Sequence, residues 1–178
     1  MFELSYDDLL MRLRQLDEDA YLLYNTDTRY HIIIVGGSAL ILQKYRTNAT
    51  QDIDAISASK ELYPILEKYD INTRVQAYIN SFPLNYEDRL NLVLAGKRVD
   101  VYTLSLEDVV IAKLYASRPL DIADITSREV IDSIDWEKLK HLATDENEAW
   151  ASRLNDNNYS IFLDAYNDYE RMYKPCVN

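Results

Sequence analysis

Apolar residues recur at Leu9, Leu10, Leu13, Leu16 and Ala20, three or four positions apart. That spacing lays one apolar stripe along a helix. Ser5-Tyr6-Asp7-Asp8 opens it with a capping serine and an acid three residues on, and Asn25-Thr26-Asp27 ends it. A helix over Tyr6 to Tyr24 follows. At His31 to Val35 the pattern changes to a short β-branched run, read as a central strand. Gly36-Gly37-Ser38 breaks it, and a short helix is expected from Ser38 to Tyr45. Arg46 to Gln51 reads as a loop and Asp52 to Ile56 as a second strand.

Further on, Ser59 caps a helix reaching Tyr69, and a second helix is expected over Asn72 to Asn80. Phe82-Pro83-Leu84-Asn85 is a turn. Asn91 to Ala95 and Arg98 to Thr103 read as strands joined tightly around Gly96-Lys97, a hairpin. Ser105-Leu106-Glu107-Asp108 repeats the capping pattern and opens a helix to Ser117. Helices over Leu120 to Ser127, Trp136 to Ala143 (capped by Asp135) and Tyr159 to Tyr173 complete the chain. The economical packing is α+β: a small mixed β-sheet of about four strands flanked by helices, with a C-terminal helical extension. The expected division is 1–130 for the sheet domain with its N-terminal helix, and 131–178 for the extension.

Composition narrows the function. The chain has 178 residues, 48% of them hydrophobic and 28% charged, enough for one sizeable core. A single cysteine, Cys176, excludes an intrachain disulfide framework or a cysteine zinc site and fits a reducing, cytoplasmic setting. The N-terminus reads as neither a secretory signal nor a membrane span. The net charge of −11 counts against a broad nucleic-acid surface, though not against a local basic groove. The 15 tyrosines read best as packing at the core edge.

With only 3 glycines in the chain, the Gly36-Gly37 pair stands out. Glycine lets the backbone approach a ligand closely. Ser38 could donate to a phosphate or simply cap the following helix. No Walker lysine follows. Asp52 and Asp54, two apart on a strand, share a face. Paired carboxylates there suit one or two Mg²⁺ ions, although Asp-x-Asp at a solvent-facing strand edge is common. Asp100 alternates with Val99 and Val101. If its strand lies beside the Asp52–Asp54 strand, three carboxylates converge to bind metal and supply a general base. Otherwise Asp100 is one more polar residue of a half-buried sheet. His31 and His141 form no metal or triad pattern. Arg89 is a candidate substrate contact, and Trp136 and Trp150 read as packing anchors.

Gly36-Gly37-Ser38, then Asp52-Ile53-Asp54, then Asp100 resembles the DNA polymerase β-type nucleotidyltransferase superfamily. Val35 to Leu40, Thr50 to Asp54 and Leu104 to Ile125 resemble small bacterial members related to abortive-infection and toxin–antitoxin nucleotidyltransferases. The resemblance covers residues 32–125. It implies a nucleotidyltransferase-like fold and transfer of a nucleoside monophosphate from an NTP, with Mg²⁺ or Mn²⁺. The acceptor would be a hydroxyl of RNA, such as a tRNA 3′ end, of a protein, or of a small molecule such as an antibiotic, and a cognate toxin or antitoxin would be a partner. By position it implies that Gly36, Gly37, Ser38 and Lys113 meet the nucleotide, and that Asp52, Asp54 and Asp100 are catalytic metal ligands. Thr50, Arg118, Asp121 and Asp124 would support them. Asp121 and Asp124 share a helix face and could orient Lys113 or Arg118. Relatives often carry an arginine where this chain has Asn48, and the nearest arginine is Arg46. A binding module of the same fold, or an antitoxin acting by contact alone, is the alternative.

Overall fold

The computed structural model describes residues 3–46, 50–56, 58–75, 81–147 and 158–175. Its contacts divide the chain into two units. The first takes the described residues of Met1–Ile79 and Leu90–Leu104; the second takes those of Asn80–Arg89 and Ser105–Asn178.

The first unit holds the whole sheet. Helix α1 (Tyr6–Leu23) comes first, followed by β1 (Tyr30–Val35) and α2 (Gly36–Leu42). Then come β2 (Ile53–Ile56), a 3₁₀ turn (Lys60–Leu62), α3 (Tyr63–Lys68), β3 (Ile71–Asn72), β4 (Asn91–Leu94) and β5 (Val99–Thr103). The strands lie in the order β3-β2-β1-β5-β4. β1 pairs antiparallel with β2 and parallel with β5. β2 pairs parallel with β3, and β4 antiparallel with β5. The expected mixed sheet is present with five strands rather than four. The added strand is β3, where a helix from Asn72 was expected. Ile71 is buried and pairs opposite Ile53. Residues 76–80 of that expected helix lie outside the described residues, as do Asn48 and Trp150.

Burial of both faces explains why β1 is apolar without a break from Ile32 to Val35. Ile32 and Ile34 join Ile53, Ala55, Val99 and Val101 in a core closed by Leu9, Leu13 and Leu16 of α1 and by Ile65 and Leu66 of α3. Ile33 and Val35, on the opposite face, are buried as well. The capping box of α1 is complete. Ser5 Oγ accepts from the Asp8 amide, and the Asp8 carboxylate accepts from the Ser5 amide at 3.0 Å.

A buried carboxylate anchors the β4–β5 connection. Asp17 of α1 is 6% exposed and accepts hydrogen bonds from the amides of Lys97, Arg98 and Val99 at 2.8, 2.7 and 2.8 Å. Gly96 makes this approach feasible. A Cβ there would lie 2.5 Å from Asp17 Oδ1 and 2.2 Å from the Val99 carbonyl oxygen.

The second unit is helical: α4 (Leu106–Ala116), α5 (Pro119–Ile125), α6 (Arg128–Ile131), α7 (Trp136–Thr144) and α8 (Tyr159–Tyr173), with a 3₁₀ turn at Tyr86–Arg89. The short α6 was not expected from the sequence. α5, α7 and α8 all pack with α4. Tyrosines do much of the packing: Tyr166 and Tyr169 are buried, and the Tyr169 ring lies 5.6 Å from that of Trp136. No helix among the described residues is long and apolar enough to cross a membrane.

Each amide bonded to a carboxylate contributes on the order of 1.5–3 kcal/mol, and removing the acceptor strands its donors. Asp17→Ala is therefore expected to lower stability by about 3 kcal/mol. Urea unfolding checks this; an unchanged midpoint would mean that strand pairing alone holds the hairpin.

Candidate active site

Strand register brings the glycine turn to the carboxylates. β1 ends at Val35, whose Cα partner on β2 is Asp54. The next residue, Gly36, has φ +66°, a left-handed conformation that glycine adopts without strain. A Cβ on Gly36 would stand 3.5 Å from Asp54 Oδ2. On Gly37 a Cβ would fall 2.7 Å from Arg46 Nη1 and 3.7 Å from Thr50 Oγ1. Two successive glycines thus carry opposite charges against their bare backbone: a carboxylate at Gly36 and a guanidinium at Gly37.

Ser38 takes a different role from either one expected. It lies inside α2, whose first residue is Gly36, and the cap position belongs to Val35, which makes no side-chain cap bond. Ser38 is buried and donates from Oγ to the Asp52 carbonyl oxygen at 2.6 Å. Thr50 Oγ1 donates to the same oxygen at 3.2 Å. Both hydroxyls therefore hold the backbone that leads into β2. Asp52 is exposed just ahead of the strand, Ile53 is buried, and Asp54 is half-buried. The alternation puts both carboxylates on the face opposite the core.

Asn72 completes this cluster, although no local pattern in the chain marked it. It lies opposite Asp54 on β3 and donates from Nδ2 to Asp54 Oδ1 at 2.9 Å.

Asp100 does not join the pair. Its strand runs beside β1, not β2, and Asp100 is opposite His31, whereas Asp54 is opposite Val35. Four residues of β1 separate the two levels, about 13 Å at ~3.3 Å per residue. Asp100 instead forms an ion pair with Arg29 at 2.5 Å and accepts from the Gly96 amide at 3.1 Å. Among the described residues no group of three or more acids, histidines or cysteines is placed to hold a metal ion.

Lys113 and its partners form a separate cluster inside the second unit. Lys113 Nζ, 7% exposed, bonds to Asp121 Oδ1 at 2.9 Å and to Asp124 Oδ2 at 2.8 Å. Arg118 Nε donates to Asp121 Oδ2 at 2.6 Å. The expected nucleotide-facing lysine is thus a buried cation held by two carboxylates. Burial pushes the Asp121 carboxyl up, but the hydrogen bonds from Arg118 and Lys113 prevail and hold it below its ordinary value. Arg89, a candidate substrate contact from the sequence, forks onto buried Asp108 at 2.8 and 3.1 Å. It is an internal ion pair of the same unit.

A family model described as "Nucleotidyltransferase of unknown function (DUF6036)" matches residues 11–174. The chain belongs to this family. No curated protein and no solved structure matches it significantly.

Mg²⁺ is commonly held by one or two carboxylates, with substrate phosphates and water filling its octahedron. Asp52 and Asp54 are two carboxylates that could hold such an ion. At Gly37 the place a Cβ would take is met by the Arg46 guanidinium, which lies against the bare backbone and is a cation of the kind that binds phosphate.

Lys113→Met tests the second cluster. It leaves Asp121 with Arg118 and takes the buried cation from between Asp121 and Asp124, and breaking such a buried pair costs about 3–5 kcal/mol at neutral pH. In the wild type the lowered Asp121 stabilises above its unfolded value of 3.8, and that contribution is lost as pH falls through its folded value. In the variant a carboxyl raised above its unfolded value stabilises at low pH and loses that effect as pH rises. The stability gap should therefore shrink from pH 7 toward pH 4. Denaturant unfolding across that range checks it; a gap that stays constant would contradict the arrangement.

Proposed function

We propose that the chain transfers a nucleoside monophosphate from an NTP to a hydroxyl acceptor in a metal-dependent reaction. The observation that carries this reading is the pair of opposite charges against Gly36 and Gly37, in a chain of a nucleotidyltransferase family. Asp52 and Asp54 hold Mg²⁺ or Mn²⁺, which when bound neutralises phosphate charge and favours departure of pyrophosphate. Arg46 meets the phosphates over Gly37, a role the resemblance assigned to Lys113. Ser38 and Thr50 fix the Asp52 backbone so that its carboxylate stays beside that of Asp54. The acceptor oxygen bonds to the α-phosphorus, the α–β bridging bond breaks, and pyrophosphate leaves. Asp52, exposed ahead of β2, is the carboxylate open to the acceptor's proton. Catalysis is chiefly positioning and charge neutralisation.

The acceptor class we propose is an RNA 3′ end, as in tRNA, or a protein side chain, in a toxin–antitoxin or phage-defence setting. The charge of −11 favours a protein. One observation favours a second reading, a binding module or antitoxin that uses the fold for protein contact alone: among the described residues no group of three acids, histidines or cysteines is placed to hold a metal ion.

Incubation with each α-³²P-labelled NTP and Mg²⁺ or Mn²⁺, with total tRNA or a cell lysate, separates the two. Labelled RNA or protein is expected, lost in Asp54→Asn and retained in Asp100→Asn. Absence of labelled RNA or protein with every NTP from folded protein would favour a small-molecule acceptor or the binding module. Loss of label in Asp100→Asn alone would contradict the site as drawn.

A further inference from the structure

We infer that Asn72 is a positioning residue that makes Asp54 a one-oxygen metal ligand, and so sets which cation the site prefers. The inference rests on the proposed reading of Asp52 and Asp54 as the metal-binding pair.

Asn72 ends the two-residue strand β3, opposite Asp54. Its amide makes two bonds. Nδ2 donates to Asp54 Oδ1 at 2.9 Å, and Oδ1 accepts from the Arg74 amide at 3.0 Å. The second bond orients the first. Turning the amide over would set its oxygen against a carboxylate and its NH₂ against an N–H, so only one orientation satisfies both neighbours. An asparagine can do this without adding charge; an aspartate would set a like charge beside Asp54.

The consequence falls on Asp54. Its Oδ1 is engaged from the β3 side, while Oδ2 lies on the Gly36 side. The oxygen directed to the glycine turn is therefore Oδ2, and a metal there receives one oxygen from this carboxylate. One-oxygen ligation suits small octahedral cations such as Mg²⁺ and Mn²⁺. Ca²⁺ takes six to eight oxygens and readily accepts two from one carboxylate. Removing Asn72 takes away the bond that holds Oδ1 toward β3, so that Oδ1 can compete for the cation beside Oδ2. That should weaken binding of the small cation and erode discrimination against Ca²⁺. Hydrogen-bond partners of metal-binding carboxylates typically alter metal affinity 10–100-fold.

The test is Mn²⁺ binding followed by electron paramagnetic resonance on the full chain with a non-hydrolysable ATP analogue, and Ca²⁺ as competitor. Asn72→Ala is expected to weaken Mn²⁺ about tenfold and to lower the ratio of Mn²⁺ to Ca²⁺ affinity. Asn72→Val, which suits a strand and carries no donor, makes the same cut should the alanine variant unfold. Ile71→Ala loosens the same strand without touching the carboxylate, and its cation ratio should match the wild type. Wild-type affinity and ratio in the Asn72 variants would overturn the inference, as would an equal change in Ile71→Ala. Wild-type protein whose Mn²⁺ binding is indifferent to Asp54→Asn would overturn the underlying reading instead.

Discussion

The register between β1 and β2 is the constraint on which the site depends. Val35 stands opposite Asp54, and the chain turns into Gly36 one residue later. Side chains alternate along a strand, so a slip of one residue would send Asp54 into the core and Ile53 into the site. Such a slip is opposed from both sides of β2. Ile53 and Ala55 are fully buried in the core, and β3 pairs Ile71 with Ile53 and Asn72 with Asp54. The apolar packing that stabilises the sheet thus also places a carboxylate at the glycine turn. Ser38 and Thr50 extend the control one step upstream by holding the Asp52 carbonyl.

Many of the chain's charges serve the fold. Asp17 anchors the β4–β5 connection through three amides, Asp108 receives a forked arginine, and Lys113 is held by two carboxylates. Each is buried with its hydrogen bonds satisfied, the condition under which a buried charge is tolerated. Sequence position alone does not separate such groups from catalytic ones, because both kinds are charged residues set among apolar neighbours.

Much was nonetheless legible. The run His31 to Val35, the glycine pair and the Asp-x-Asp spacing predicted a strand, a turn and a shared face, and these stand together in the structure. The helix caps at Ser5, Ser105 and Asp135 were readable because capping is a local matter of one side chain and one amide. What failed was non-local. Alternation showed which face Asp100 takes but not which strand lies beside β5, and that neighbour is β1. β3 was hidden because two residues are too few to display a period. Asn72, the partner of Asp54, therefore sat inside an expected helix. Ser38 had the right spacing for a cap but lies one turn too deep, and its donor finds Asp52 across the loop. Lys113 was readable as a cation on a helix; its burial follows from α5 folding back, with Asp121 and Asp124, onto α4.

The most direct test of the central claim is a crystal structure with Mn²⁺ and a non-hydrolysable NTP, with the metal located by its anomalous scattering. The account predicts a metal peak at Asp52 and Asp54, with the phosphates on the Gly37 and Arg46 side. Ordered nucleotide with its metal at Asp100, or bound apart from the glycine turn, would contradict it.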